Sequence, residues 1–178
     1  FWMPFTANRQ FKAAPRLLAR AEGMHYWTPD GRQILDGAAG LWCVNIGYGR
    51  KELAQVAARQ MEEMAYYNTL FQTTHVPAIA LAAEIAKLAP GDLNHVFFAG
   101  SGSEANDTNI RLVRRYWDVK GMPWRKTIIA RWNGYHGSTM GGGSLGGMKP
   151  IHAHGGMIDG IEHIDQPYWW GEGGDMSE

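Results

Sequence analysis

Phe97-Phe98-Ala99-Gly100-Ser101-Gly102-Ser103-Glu104-Ala105-Asn106 is the stretch that decides the fold. An apolar run ends in glycine and serine, and a helix-forming sequence starts at once. The pattern predicts strand, tight turn, helix. A helix start leaves its first N–H groups without partners and carries partial positive charge. Gly100 and Gly102 let the backbone approach an anion, and Ser101 and Ser103 add hydroxyl donors. The carboxyl end of a strand in an α/β sheet is also where ligands bind. Together these features describe a phosphate site. The same residues satisfy the Ser-x-x-Glu capping box, so a well-capped helix without a ligand stays open as the alternative. No Lys stands where a P-loop requires one, and the glycines do not fit the Gly-x-Gly-x-x-Gly dinucleotide pattern.

On either side the chain alternates strands and helices. Thr127-Ile128-Ile129-Ala130 reads as a second buried strand, and 158–164 as the place of a third. His95-Val96-Phe97-Phe98-Ala99 reads as the first buried strand. Helices are predicted over 51–66, 77–88 and 104–120. Pro77 suits a first turn, and Pro90-Gly91 stops that helix. Nearer the start, Met24–Thr28 and Gln33–Asp36 flank Pro29-Asp30-Gly31-Arg32, which predicts a β-hairpin. The first twenty residues show little periodicity, and 37–49 reads as an irregular loop. The fold class is therefore α/β: a mainly parallel sheet, preceded by a separate antiparallel hairpin segment. The division expected is 1–50 for that segment and 51–178 for the sheet domain.

Composition bounds the function. Hydrophobic residues make up 45% of 178 residues and charged residues 19%, enough apolar material for a sizeable core. The formal net charge is zero, which argues against a nucleic-acid partner. The longest apolar run, near 79–83, is too short to cross a membrane. The one cysteine, Cys43, cannot form an internal disulfide, so a reducing, cytoplasmic setting is expected. Among Leu41, Trp42 and Val44 it reads as a buried apolar thiol. The chain begins at Phe1 and ends in a glycine-rich acidic stretch at Glu178, so both ends read as cuts and the chain as a fragment.

After the strand at 127–130 comes Trp132-Asn133-Gly134-Tyr135-His136-Gly137-Ser138-Thr139. Glycines free the backbone around an aromatic and an imidazole. Tyr135 offers a flat face to a flat ring, although an ordinary surface loop has the same composition. The glycine-rich 140–148 run suits close backbone packing, and equally a loose loop.

The pair formed by Gly-Ser-Gly-Ser-Glu-Ala-Asn (100–106) and Trp-Asn-Gly-Tyr-His-Gly-Ser-Thr (132–139) resembles the class III aminotransferases, a branch of the fold-type I pyridoxal-phosphate enzymes. Met3-Pro4-Phe5-Thr6-Ala7-Asn8-Arg9-Gln10, Asp36-Gly37-Ala38-Ala39-Gly40-Leu41-Trp42-Cys43, Gly143–Met148 and His163–Pro167 are similar to the ω-amino acid:pyruvate and amine:pyruvate transaminases. The resemblance spans almost the whole chain. It implies pyridoxal 5'-phosphate as cofactor, amine and keto-acid substrates, a homodimer, no metal centre, and a partial large domain. Ser101, Gly102 and Ser103 match the family's binders of the cofactor phosphate, and Tyr135 the aromatic stacked on the pyridine ring. His136 stands beside it as a further cofactor contact or a loop support. Trp42 matches an aromatic wall of the substrate pocket. Phe71, in Thr69-Leu70-Phe71-Gln72-Thr73-Thr74-His75, matches a residue that reaches the partner's active site. For Trp42 and Phe71 plain core packing is the alternative. Gly100 departs from the Asn or Thr common in relatives.

The family's cofactor-holding lysine lies far downstream of the Tyr-His-Gly motif. Lys12, Lys51, Lys87, Lys120, Lys126 and Lys149 do not match its position, so this chain alone is expected to be inactive. An aminomutase on the same scaffold and a non-catalytic phosphate-binding module are the alternatives.

Overall fold

The structure, a computed structural model, describes residues 2–172. Phe1 and the glycine-rich end at 173–178 lie outside the described residues, and so do the expectations placed on them. Two compact units divide at Ile79 and Ala80.

The first unit opens with a short helix, α1 (Asn8–Ala13), and a three-stranded antiparallel meander of β1 (Arg20–Glu22), β2 (His25–Trp27) and β3 (Gln33–Leu35). The expected hairpin is β2–β3, paired His25 to Leu35, Tyr26 to Ile34 and Trp27 to Gln33. Gly31, at φ 86°, turns the chain between them. β1 was not expected, because Arg20-Ala21-Glu22 carries no hydrophobic alternation. It is recruited across a two-residue turn opened by Gly23 at φ 59°. The Arg20 guanidinium lies over its cross-strand partner Trp27, 3.7 Å from the ring centroid.

The 37–49 loop contains one short helical turn, α2 (Ala39–Trp42), whose residues have positive φ. Its tail is tied to the meander by reciprocal bonds between Gly23 and Tyr48. Cys43, expected to be buried, is exposed. The turn points Leu41, Trp42 and Ile46 outward, each at least 60% exposed, and leaves the thiol no apolar pocket. The helix α3 (Lys51–Met64) follows as expected, and α4 (Val76–Leu88) begins with Pro77 in its first turn.

The second unit is built on α5 (Gly102–Val119), β4 (Ile128–Arg131), α6 (Met140–Leu145), α7 (Lys149–His152), β5 (Ile161–Ile164) and α8 (Trp169–Glu172). β4 and β5 pair in parallel, Ile128 against Ile161 through Arg131 against Ile164. Two helices separate them in sequence, as a parallel crossover requires. Among the described residues the buried hydrophobic ones are Ile110 of α5, Ala130 and Ile161, with Ile128, Leu145 and Ile158 packed against them. This core is smaller than the composition led us to expect, and Ile129 on β4 is 67% exposed.

The segment 95–99 is not a buried strand. Phe97 is 72% exposed, and no described residue forms a ladder with it. An apolar run becomes a strand only when another strand satisfies its N–H and C=O groups. The glycine-rich run at 140–145 is a helix, not a loop. Thr139 caps it, and its glycines pack with no side chain in the way.

Candidate functional site

Ser101 is the N-cap of α5, at φ −159° and ψ 162°. Its hydroxyl oxygen accepts from the Glu104 N–H at 3.2 Å, and Glu104 Oε2 accepts from the Gly100 N–H at 2.7 Å. The Ser101 half of the expected Ser-x-x-Glu capping box is therefore present, while the Glu104 carboxylate reaches one residue beyond the N-cap, to Gly100. It does not use up the turn's donors. The N–H groups of Gly102 and Ser103 form no hydrogen bond among the described residues. A hydroxyl that accepts one bond still has its proton to give. Ser103 is in the same position: its oxygen accepts from the Ser138 N–H at 3.0 Å, which fixes the side chain and leaves the O–H free. Apart from its chain neighbours and its own helix backbone, nothing lies within 4 Å of where a Cβ on Gly102 would stand, so the first residue of α5 borders open space. Glu104→Ala keeps the backbone N–H that donates to Ser101 but removes the acceptor of the Gly100 N–H, and is expected to cost about 1 kcal/mol of stability, the worth of one hydrogen bond. Thermal denaturation against wild type checks this.

The second loop is fastened to this same helix. Asn106 donates to the His136 carbonyl at 2.7 Å. Asp107 Oδ1 accepts from the Thr139 hydroxyl at 2.8 Å and from the Gly142 N–H at 3.0 Å. A Cβ on Gly137, at φ 127°, would stand 2.5 Å from Ser103 Oγ and 2.9 Å from Ser103 Cα. Only glycine lets the loop come this close to Ser103 at the start of α5.

Tyr135 and His136 therefore sit on a pinned backbone with free side chains. The Tyr135 side chain is 60% exposed, and neither ring makes a hydrogen bond among the described residues. Ser101, Gly102, Ser103, Tyr135 and His136 all lie in the second unit, on two segments joined by these bonds. Trp42 and Phe71 lie in the first unit and are 76% and 92% exposed, so neither is a core residue within it.

Asn106, Asp107 and Thr139 were missed as organisers of the site. The signal lay in helical spacing. Ser103, Asn106, Asp107 and Ile110 share one face of α5, and that face buries Ile110. Polar residues on a core-facing stripe must find partners, and here they find the second loop.

Residues 6–169 match the family described as aminotransferase class-III. A putrescine–pyruvate aminotransferase of Pseudomonas aeruginosa is 58% identical over 176 residues, which cover 98% of this chain and 39% of that protein. A beta-alanine–pyruvate aminotransferase of the same organism is 43% identical, over 92% of this chain and 36% of its own length. A thermostable (S)-enantioselective omega-transaminase from Thermomicrobium roseum superposes with a TM-score of 0.94 at 41% identity, covering 98% of this chain and 40% of that structure. The chain thus spans well under half the length of these relatives, and its α/β arrangement is that of the matching part of the fold-type I transaminases.

Proposed function

The chain belongs to the class III aminotransferases, and from that premise we propose that it carries the phosphate-binding and ring-holding part of a pyridoxal-phosphate ω-transaminase. The reaction proposed is transfer of an amino group from a primary amine or ω-amino acid to pyruvate or a related keto acid. The observation that carries this reading is the set of uncommitted donors at the start of α5, where Gly102 borders open space, beside a loop that presents Tyr135.

In this proposal the Gly102 and Ser103 N–H groups and the Ser101 and Ser103 hydroxyls receive the phosphate, aided by the positive end of an 18-residue helix. Tyr135 supplies a stacking face and His136 borders it. Pyridoxal phosphate, when bound, supplies the electron sink that amino transfer needs. Ser103 is central because it serves both parts. Its hydroxyl oxygen holds Ser138, and its N–H and O–H remain for the anion. Trp42 is proposed as a wall of the amine pocket and Phe71 as a contributor across a homodimer interface.

The lysine that holds the cofactor is assigned to the part of the relatives' length that this chain does not span. The chain's own Lys87 and Lys126 are paired with Glu84 and Asp118. The division into a small-domain segment over 1–50 and the start of the cofactor domain over 51–178 belongs to the same proposal. A lone cysteine suits a reducing, cytosolic compartment. No helix among the described residues is long and apolar enough to cross a membrane.

The test is an assay of the complete protein with pyridoxal phosphate, pyruvate, and putrescine or β-alanine, measuring alanine formed. Turnover with at least one such donor is expected. Tyr135→Ala is expected to weaken cofactor affinity about tenfold, the scale of one good aromatic contact. Tight cofactor binding with no alanine from any primary amine would overturn the reading.

A further inference from the structure

L-residues avoid the left-handed region, because the Cβ approaches the following carbonyl oxygen. Yet four successive residues lie there: Ala39 at φ 49°, Gly40 at 58°, Leu41 at 59° and Trp42 at 63°. They form a left-handed turn closed by bonds from Trp42 N–H to the Ala38 carbonyl and from Cys43 and Val44 N–H to the Ala39 carbonyl, at 2.9–3.0 Å. Such a turn persists only if its surroundings hold it.

One carboxylate does most of the holding. Asp36 Oδ1 accepts from the Ala38 N–H at 3.2 Å. Its Oδ2 accepts from the Gly40 N–H at 2.7 Å and from the Tyr48 hydroxyl at 2.6 Å. Tyr48 is itself anchored, since its N–H donates to the Gly23 carbonyl at 2.8 Å and its carbonyl accepts from Gly23 at 3.2 Å. The meander thus grips Tyr48, Tyr48 grips Asp36, and Asp36 grips the turn. The bond from Tyr48 holds the Asp36 carboxyl below its ordinary range, and Asp36 pushes the Tyr48 phenol up. At neutral pH the acceptor is therefore charged and the donor keeps its proton. Trp42 is 76% exposed, so little packs against its side chain. What the backbone of the turn sets is the direction in which that side chain leaves the chain.

We propose that Tyr48 is a positioning residue for amine selection: through Asp36 it holds the left-handed turn that sets where the Trp42 side chain leaves the backbone. The inference rests on the reading of Trp42 as a wall of the amine pocket.

The experiment is a double-mutant cycle in the complete, cofactor-loaded protein. The readouts are KM and kcat for the amine donor of the assay above, and cofactor affinity. Trp42→Ala is expected to raise KM about tenfold. Tyr48→Phe removes one oxygen and is expected to raise KM by a similar factor, with kcat and cofactor affinity within twofold. The double variant should then be no worse than Trp42→Ala alone, because both changes remove the same thing. A merely structural role would lower kcat and cofactor affinity together and would add to the Trp42 effect; that result overturns the proposal. A silent Tyr48→Phe beside an effective Trp42→Ala overturns the strut and leaves the reading of Trp42 standing. A silent Trp42→Ala removes that reading and the inference with it. If Tyr48→Phe gives no folded protein, Asp36→Asn goes through the same cycle. It withdraws the charge from the same bond and keeps a side-chain acceptor for the Ala38 N–H.

Discussion

Gly147→Ala is expected to destabilise the complete protein by about 3 kcal/mol, the upper end of what overpacking costs in a close-packed interior. The new Cβ would lie inside contact distance of the Arg131 carbonyl oxygen and the Trp132 Cα, and 2.6 Å from the Asn133 nitrogen. All three are backbone atoms, so no side chain can rotate away. The backbone is held in place from both directions. The Gly147 N–H donates to the Gly134 carbonyl at 2.9 Å, and the Asn133 N–H donates to the Gly147 carbonyl at 3.1 Å. One residue earlier, the Gly146 carbonyl accepts from His152 Nε2 at 2.6 Å and His163 Nε2 at 2.9 Å.

Relief by backbone movement would break these bonds and shift the strand end that leads into Tyr135. Cofactor retention should therefore fall along with the melting temperature. Gly102→Ala is the control, because a Cβ there meets nothing within 4 Å. It should leave the melting temperature within about 2 °C, as surface changes usually do. A loss under 1 kcal/mol for Gly147→Ala would show that this junction is looser than the distances say.

Gly147 also shows where sequence reading stops. The elements with strong local signals were legible. The Asp-Gly turn between β2 and β3, the proline-started α4 and the capped start of α5 are written in neighbouring residues. The parallel pairing of β4 with β5 followed from strands alternating with helices. The 140–145 run was not legible as a helix. Glycine in a helix costs about 1 kcal/mol per residue relative to alanine, and α6 holds three glycines in succession.

What offsets that cost is distant in sequence. Asp107 bonds the Gly142 N–H, and Ser144, 1% exposed, accepts from the Ile158 N–H at 2.9 Å. The His95–Ala99 run failed in the opposite way: its local signal was strong, but no described residue pairs with it. Cys43 failed because a left-handed turn, which no composition announces, turned it outward. At the site, Ser101, Gly102 and Ser103 were legible both as an anion cradle and as a cap; the geometry shows the cap and leaves uncommitted the donors that a cradle would use. Ser103 accepting from Ser138, across 35 residues, was not.

The observed cap and the proposed phosphate site share the same residues, so they must be separated by a change that moves them in opposite directions. Gly102→Asp does this. Gly102 is the first residue of α5, its φ is not in the left-handed region, and a side chain there enters open space. A carboxylate in the first turn interacts favourably with the helix N-terminus, by about 0.3–1 kcal/mol. As a helix start the variant should therefore be as stable as wild type or slightly more so. As a phosphate site it should fail. A fixed negative charge placed among the donors occupies the Gly102 and Ser103 N–H groups and repels the incoming anion. Two charges about 4 Å apart at an effective dielectric near 20 repel by roughly 4 kcal/mol. Partial exposure reduces this, so the expected loss is about 100-fold in affinity for pyridoxal phosphate.

Reconstitution of the cofactor-free protein, followed by cofactor fluorescence, measures that affinity, and thermal denaturation of the cofactor-free form measures stability. Gly102→Asn, which adds the same bulk without charge, should lose no more than about tenfold, the worth of a single hydrogen bond near 1.4 kcal/mol. Equal losses for Asp and Asn would mean that the cradle excludes bulk and not charge. Unchanged affinity in the Asp variant would reduce Ser101–Gly102–Ser103 to a cap and move the phosphate elsewhere. Opposite signs for stability and affinity are the result that only an anion site at this helix start produces.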